Sequence, residues 1–224
     1  MKYAPLIVVA GLALSSCDAP GRRAAEAHVI RPNEIANFSA LFSQNCSGCH
    51  GTDGQGALTV GIGRPVYLAI ANDSTIHRTI EEGRPGTPMP AFAQRAGGML
   101  TDAQIEILVR GIRNWATPAA FDRENPPPYA SSQAGDAAHG RELFATACSS
   151  CHGPDGHGAR AIATSSYLAL VTDQHLRTVV IVGMPNLGMP DWRGHSKPLS
   201  DADVTDLVAW LASQRDSFSA HLNQ

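Results

Sequence analysis

Two pentapeptides limit this 224-residue chain more than any other feature: Cys46-Ser47-Gly48-Cys49-His50 and Cys148-Ser149-Ser150-Cys151-His152. Each sets two thiols one helical turn apart and follows the second directly with a histidine. Covalent attachment of haem needs this spacing, because thiols a turn apart can add across two vinyl groups while the next imidazole comes to lie under the iron. A zinc site, a dithiol redox pair and a disulfide framework compete for such cysteines. A zinc ribbon does not require the repeated histidine, and a thioredoxin-like pair predicts neither the histidine nor the duplication. Two matching frames therefore favour two haem c groups.

The duplication extends well beyond the frames. Leu41-Phe42 matches Leu143-Phe144 at the 102-residue offset of the cysteines, and Tyr67-Leu68-Ala69 matches Tyr167-Leu168-Ala169 at 100. Asp73, Gly83, Met89 and Pro90 match Asp173, Gly183, Met189 and Pro190 at 100, and Leu100-Thr101-Asp102-Ala103 matches Leu199-Ser200-Asp201-Ala202 at 99. Two copies are expected, over residues 34–116 and 136–215, and the chain length accommodates two small domains. Each closes on an amphipathic helix, with Ile105, Leu108, Val109 and Ile112 in one and Val204, Leu207, Val208 and Leu211 in the other at i, i+3, i+4, i+7. Thr101 with Gln104 forms a capping-box pattern, and Ser200 opens the second helix similarly. Gly- and Pro-rich stretches without alternation fill the middle of each copy, which predicts an all-α fold with long loops around haem. Aromatic residues make up only 6% of the chain, so a small domain here needs something else to fill its core.

Met89 and Met189 are the candidate sixth ligands of iron. Both precede proline in short loops, and His/Met ligation raises the potential of cytochromes c. Met184 aligns with Arg84, and Met99 has no counterpart in copy two; both are weaker candidates, since an unmatched methionine usually packs a core. The histidines outside the frames have no partners between copies and read as solvated surface or loop. Among them, His157 stands near the second frame where copy one has Gln55.

With these residues together, both copies resemble class I cytochrome c domains, as in dihaem electron carriers and the cytochrome subunits of respiratory complexes. The resemblance implies two tandem all-α domains, with Cys46, Cys49, His50 and Met89 holding one haem and Cys148, Cys151, His152 and Met189 the other. Phe38 stands where copy two has Gly140, so the opening helix of copy one is expected to pack differently.

Residues 1–16 have the charged, apolar, small order of a secretory signal. Leu14-Ser15-Ser16-Cys17 resembles the lipobox of bacterial lipoproteins, which implies acylation of Cys17; an ordinary cleaved signal with an incidental cysteine is the alternative. Asp18 resembles an inner-membrane retention signal. Residues 17–33 then form a tether, 117–135 a Pro-rich linker acting as a spacer or as a strap, and 216–224 a C-terminal tail. With all five cysteines assigned, none remains for a disulfide. The formal charge of −3 without a basic run speaks against nucleic acid as a partner.

The expectation is a lipid-anchored electron carrier on the periplasmic face of the inner membrane, not an enzyme, with no small-molecule substrate. By resemblance its redox partners are a cytochrome bc-type complex, a terminal oxidase or a soluble cytochrome, met as a free carrier or as a fellow subunit. A dihaem peroxidase or thiosulfate dehydrogenase, with one altered haem ligand, is the alternative.

Overall fold

Caps and apolar spacing lay out the same succession of helices twice. This computed structural model describes residues 30–115 and 125–222; Cys17, the signal before it and residues 116–124 of the linker lie outside the described residues. Copy one contains α1 (Phe38–Asn45), α2 (Ser47–His50), α3 (Pro65–Ile70), α4 (Asp73–Glu82) and α5 (Asp102–Arg113). Copy two contains α6 (Ala137–Ala147), α7 (Ser149–His152), α8 (Ser165–Leu168), α9 (Asp173–Val182) and α10 (Asp201–Leu222). Only isolated bridges occur among the described residues, Ala93 with Leu100 and Met184 with Met189, so the fold is all-α. The last helix runs on to Leu222, through most of the stretch after 215.

Side-chain caps start these helices. Asn37, Asn72, Asp136 and Thr172 each accept a backbone N–H from the first turn of α1, α4, α6 and α9. Replacing such a cap by alanine typically costs about 1 kcal/mol. Thr101 and Gln104 complete the capping box of α5, and Gln104 Nε2 also donates to the carbonyls of Pro32 (2.8 Å) and Ile35 (3.1 Å). In α10, Asp203 takes the role of Gln104, accepting from Ser200 N and Oγ.

The amphipathic faces go where the spacing sends them. Ile105, Leu108, Val109 and Ile112 are buried, as are Val204, Leu207, Val208 and Leu211. They pack with Leu41 and Phe42 of α1 and Phe144 of α6 in the core. In copy one the Phe38 ring lies over Gly111, where an added Cβ would come within 2.0 Å of the ring. In copy two the small residue is on the other helix: a Cβ on Gly140 would come within 2.0 Å of the Asp206 carbonyl oxygen. The difference at Phe38 is therefore a reversed pairing of large and small residues.

Arginines tie each closing helix to the middle of its copy. Arg113 donates to the carbonyls of Leu68 (2.6 Å) and Ala71 (2.7 Å) and to Asp73 (2.7 Å). Arg215 donates to the carbonyls of Leu168 (3.0 Å) and Val171 (2.9 Å) and to Asp173.

The described residues from Pro32 onward belong to one compact unit, and the described part of the linker serves as a strap. Arg177, 5% exposed, donates to the Pro128 carbonyl (2.8 Å) and to Thr205 (3.0 Å), and pairs with Asp201. Gln174 donates to the Tyr129 carbonyl (2.6 Å). From copy one, Arg84 donates to the Tyr129 hydroxyl and to Thr79 Oγ1, with its guanidinium 5.9 Å from the Tyr129 ring centre.

Candidate haem sites

Each Cys-x-x-Cys-His frame folds as a single turn offset from the helix before it. Cys46 (φ −124°, ψ −36°) and Cys148 (φ −122°, ψ −29°) end α1 and α6 and start α2 and α7. His50 N and His152 N each donate to the carbonyl of the first cysteine of their frame, at 3.0 Å, so the turn holds both thiols and the imidazole together. None of the four cysteines is in a disulfide. Burial, with the second thiol of the frame adding to it, pushes Cys46 up to about 12 and Cys148 up to about 11. No group of three or more His, Cys, Asp and Glu side chains is placed to share a metal among the described residues.

The loops after the frames orient the histidines. His50 Nδ1 lies 3.3 Å from the Val60 carbonyl oxygen, and His152 Nδ1 lies 2.7 Å from that of Arg160. A carbonyl only accepts, so Nδ1 carries the proton and Nε2 keeps the lone pair for a metal. Burial lowers the pKa of His50, its bond to Val60 opposing this in part, which also favours the neutral, ligating form. Val60 and Arg160 are 100 residues apart, so the two-residue shortening of copy two falls between His152 and Arg160.

Glycines bring in the methionine loops. Gly83 (φ +66°) and Gly183 (φ +70°) end α4 and α9 in the left-handed region. A Cβ there would lie 2.4 Å from the Pro90 carbonyl carbon or 2.6 Å from Asp191 N, so only glycine lets the Met-Pro segment cross the helix end. Met184 and Met189 exchange backbone hydrogen bonds of 3.0 and 3.1 Å, and both pack against the core. In copy one Arg84 N donates to the Met89 carbonyl (2.9 Å), while Met89 N donates to Thr87 Oγ1 (3.3 Å). Met99 is 78% exposed.

Two buried donors lack any acceptor among the described residues: Arg64 Nε, four residues after Val60, and Trp192 Nε1, three after Met189. Haem c carries two carboxylates, and orphaned donors on the segments that flank the candidate ligand residues suit them. The paired thiols, the oriented imidazoles and these donors fit the group.

Two histidines outside the frames depart from the solvated reading. His175, half-buried on α9 of copy two, is pulled down by burial and then by the nearby charges of Arg84 and His50 of copy one. His195 is lowered by burial, with the Ala147 backbone and Asp191 acting oppositely. His157 donates its backbone N–H to Pro154 (3.3 Å) beside the second frame. Sequence reasoning also missed Arg64, Arg84, Tyr129 and Trp192, and an alignment of the two copies flags Arg84 and Trp192 as positions that differ.

The copies meet where α3 packs against α9 and, beside it, through their loops. Asn186 Nδ2 lies 3.4 Å from the carbonyl oxygens of both Gln55 and Gly56, and the cleft there is lined by Gln55, Gly56, Thr59, Met184, Asn186 and Leu187.

A helical unit that carries two thioether frames with oriented histidines defines a tandem class I c-type cytochrome. The model of the cytochrome c oxidase cbb3-type subunit III family matches residues 33–110 and again 135–211, and the chain belongs to this family, with two covalently bound haem c groups as its cofactors. It is 28% identical over 198 residues to the Cbb3-type cytochrome c oxidase subunit CcoP of Azospirillum sp. (strain B510), covering 79% of this chain and 61% of that protein. It is 31% identical over 209 residues to the CcoP of Rubrivivax gelatinosus, covering 88% of this chain and 60% of that protein. It is 27% identical over 179 residues to the cytochrome bc1 complex cytochrome c subunit of Mycobacterium bovis, covering 76% and 60%. The chain thus spans about three fifths of the length of the curated relatives it matches.

Proposed function

We propose that this chain passes electrons in a respiratory chain, through one haem ligated by His50 and Met89 and another by His152 and Met189. Bound haem supplies a one-electron iron couple. The protein holds each imidazole by a backbone carbonyl, leads a methionine to the loop beyond a glycine, and surrounds the sites with core side chains. With His50 and Met89, or His152 and Met189, both holding the iron, a site would exchange electrons and leave no position for a substrate. The observation that carries the reading is the repeated Cys-x-x-Cys-His turn with its histidine Nδ1 at a carbonyl in both copies.

Its partners are the redox proteins of a quinol-oxidising or oxidase complex, where it acts as an electron-transfer subunit or a free carrier. No helix of the described residues is long and apolar enough to cross a membrane. Acylation at Cys17 would hold the haem unit at the periplasmic face, and mass spectrometry of the mature N-terminus tests it.

Pyridine haemochrome analysis of the purified protein, with the visible spectrum of its oxidised form, tests the ligand reading. Two haems per chain and a full-strength far-red Met–iron(III) band are expected. A half-strength or missing band overturns the reading and brings back a dihaem enzyme with an altered ligand.

A further inference from the structure

Trp192 is 6% exposed, and its backbone is fully engaged: its N–H donates to Ile181 (3.2 Å) and its carbonyl accepts from Leu199 (2.9 Å). Its indole Nε1 has no acceptor among the described residues. A buried, unpaired N–H costs stability, so native structures rarely keep one. The position of Trp192 suggests which acceptor is meant. It stands three residues after Met189, on a stretch that leads on to His195, whose ring faces the backbone of Ala147. Ala147 directly precedes Cys148, so this stretch links the methionine loop to the attachment turn of copy two. Within such a pocket the pyrrole nitrogens of haem are committed to iron, and the acceptors haem offers are its carboxylates. Copy one has Phe92 at the matching position, which can donate nothing.

We propose that Trp192 donates its indole N–H to a carboxylate of the copy-two haem, an anchor that copy one lacks. The inference rests on the reading that copy two carries covalent haem. A donor at the carboxylate offsets part of its negative charge, which stabilises the reduced iron less poorly than a bare carboxylate does. The anchor therefore raises the potential of the second haem.

The experiment uses the full holoprotein, with indole-15N tryptophan and the variant Trp192→Phe, which installs the copy-one residue. In the native ferric protein, one of the three tryptophan N–H signals should be shifted by the paramagnetic iron and exchange slowly, and it should vanish in the variant. Resonance Raman should show the carboxylate modes of one haem altered in the variant, and a redox titration should show one midpoint lowered and the other unchanged. An unshifted, fast-exchanging Trp192 N–H overturns the proposal, as do unaltered carboxylate modes and midpoints in a variant that keeps both haems. If the variant loses a haem, the native N–H signal alone decides. A native protein without haem on the Cys148–Cys151 peptide, seen by mass spectrometry, would instead sink the reading that copy two carries haem.

Discussion

Copy one and copy two solve the same packing problem with the large and small residues exchanged. Where α1 meets α5, Phe38 lies over Gly111; where α6 meets α10, Gly140 faces the Asp206 carbonyl and the Trp210 side chain. The aromatic that covers the inner phenylalanine also moves. Trp115 meets Phe42 edge-on at 4.7 Å, while Trp210 meets Phe144 at 4.4 Å, tilted by 40°. Trp210 aligns with Gly111, and Trp115 with Gln214. What the two copies share is thus the volume between the helices, filled to the density a core requires, while the residue that fills it is free to change sides.

The comparison can be broken in four ways, beginning with the largest effect. Replacing Cys46 and Cys49 by serine should lower the haemochrome ratio from two haems per chain to one, with the copy-two spectrum retained. Loss of both haems would show that the copies do not load independently.

Next come the glycines. Gly111→Ala should destabilise the holoprotein by about 1–3 kcal/mol through overpacking, read as a lowered thermal midpoint, and Phe38→Ala should restore part of the loss because the obstacle is a side chain. Gly140→Ala meets a backbone carbonyl, so Trp210→Ala should not rescue it; a rescue there would mean that both interfaces yield in the same way.

The arginine clamps should behave alike in spite of their different positions. Arg113→Met and Arg215→Met each remove a charged donor from two carbonyls, and each should cost about 1.5–3 kcal/mol in denaturant unfolding. A cost in one copy alone would separate them.

The smallest effect belongs to His139, which has Asn37 as its counterpart. The hydrogen bond from its Nδ1 to Asp206 (2.8 Å) raises its pKa above 6.5, with nearby carboxylates adding to this. A raised folded-state pKa adds stability that is fully present below the unfolded pKa and disappears as pH rises through the folded value. Thermal midpoints recorded from about pH 5 to 8, the range in which histidine changes charge, should therefore fall more steeply in the native protein than in His139→Asn. Parallel curves would exclude this pair as a source of pH dependence.

Much of this was legible in the sequence, because the frames, the matched Met-Pro pairs and the apolar spacing of α5 and α10 are local patterns. Thr101 with Gln104 even declared its capping box. Gly140 was visible as a difference, but its compensating partner was not, since the offset is 102 at the opening helices and 99 at the closing ones. The same drift hides the arginine clamps: Arg215 lies 102 residues after Arg113, about one turn further along a helix whose own offset is 99. The contacts of Arg84 with Tyr129, and of Arg177 with Pro128, join segments with no shared pattern, so only the fold brings them together. Trp192 reads in sequence as one more core aromatic, and only its unpaired N–H sets it apart.

Tyr129 stands midway between its partners, 45 residues from Arg84 on one side and 45 from Gln174 on the other. Contacts between such distant positions form late, since the chain between them must be ordered before they gain anything. Its hydroxyl and carbonyl face different copies, so neither half can melt without releasing a bond the other relies on. The strap thereby gives a duplicated sequence one more tie between its halves, and Tyr129→Phe, which keeps the carbonyl and removes the hydroxyl, would cut that tie on the side of copy one with every haem ligand in place.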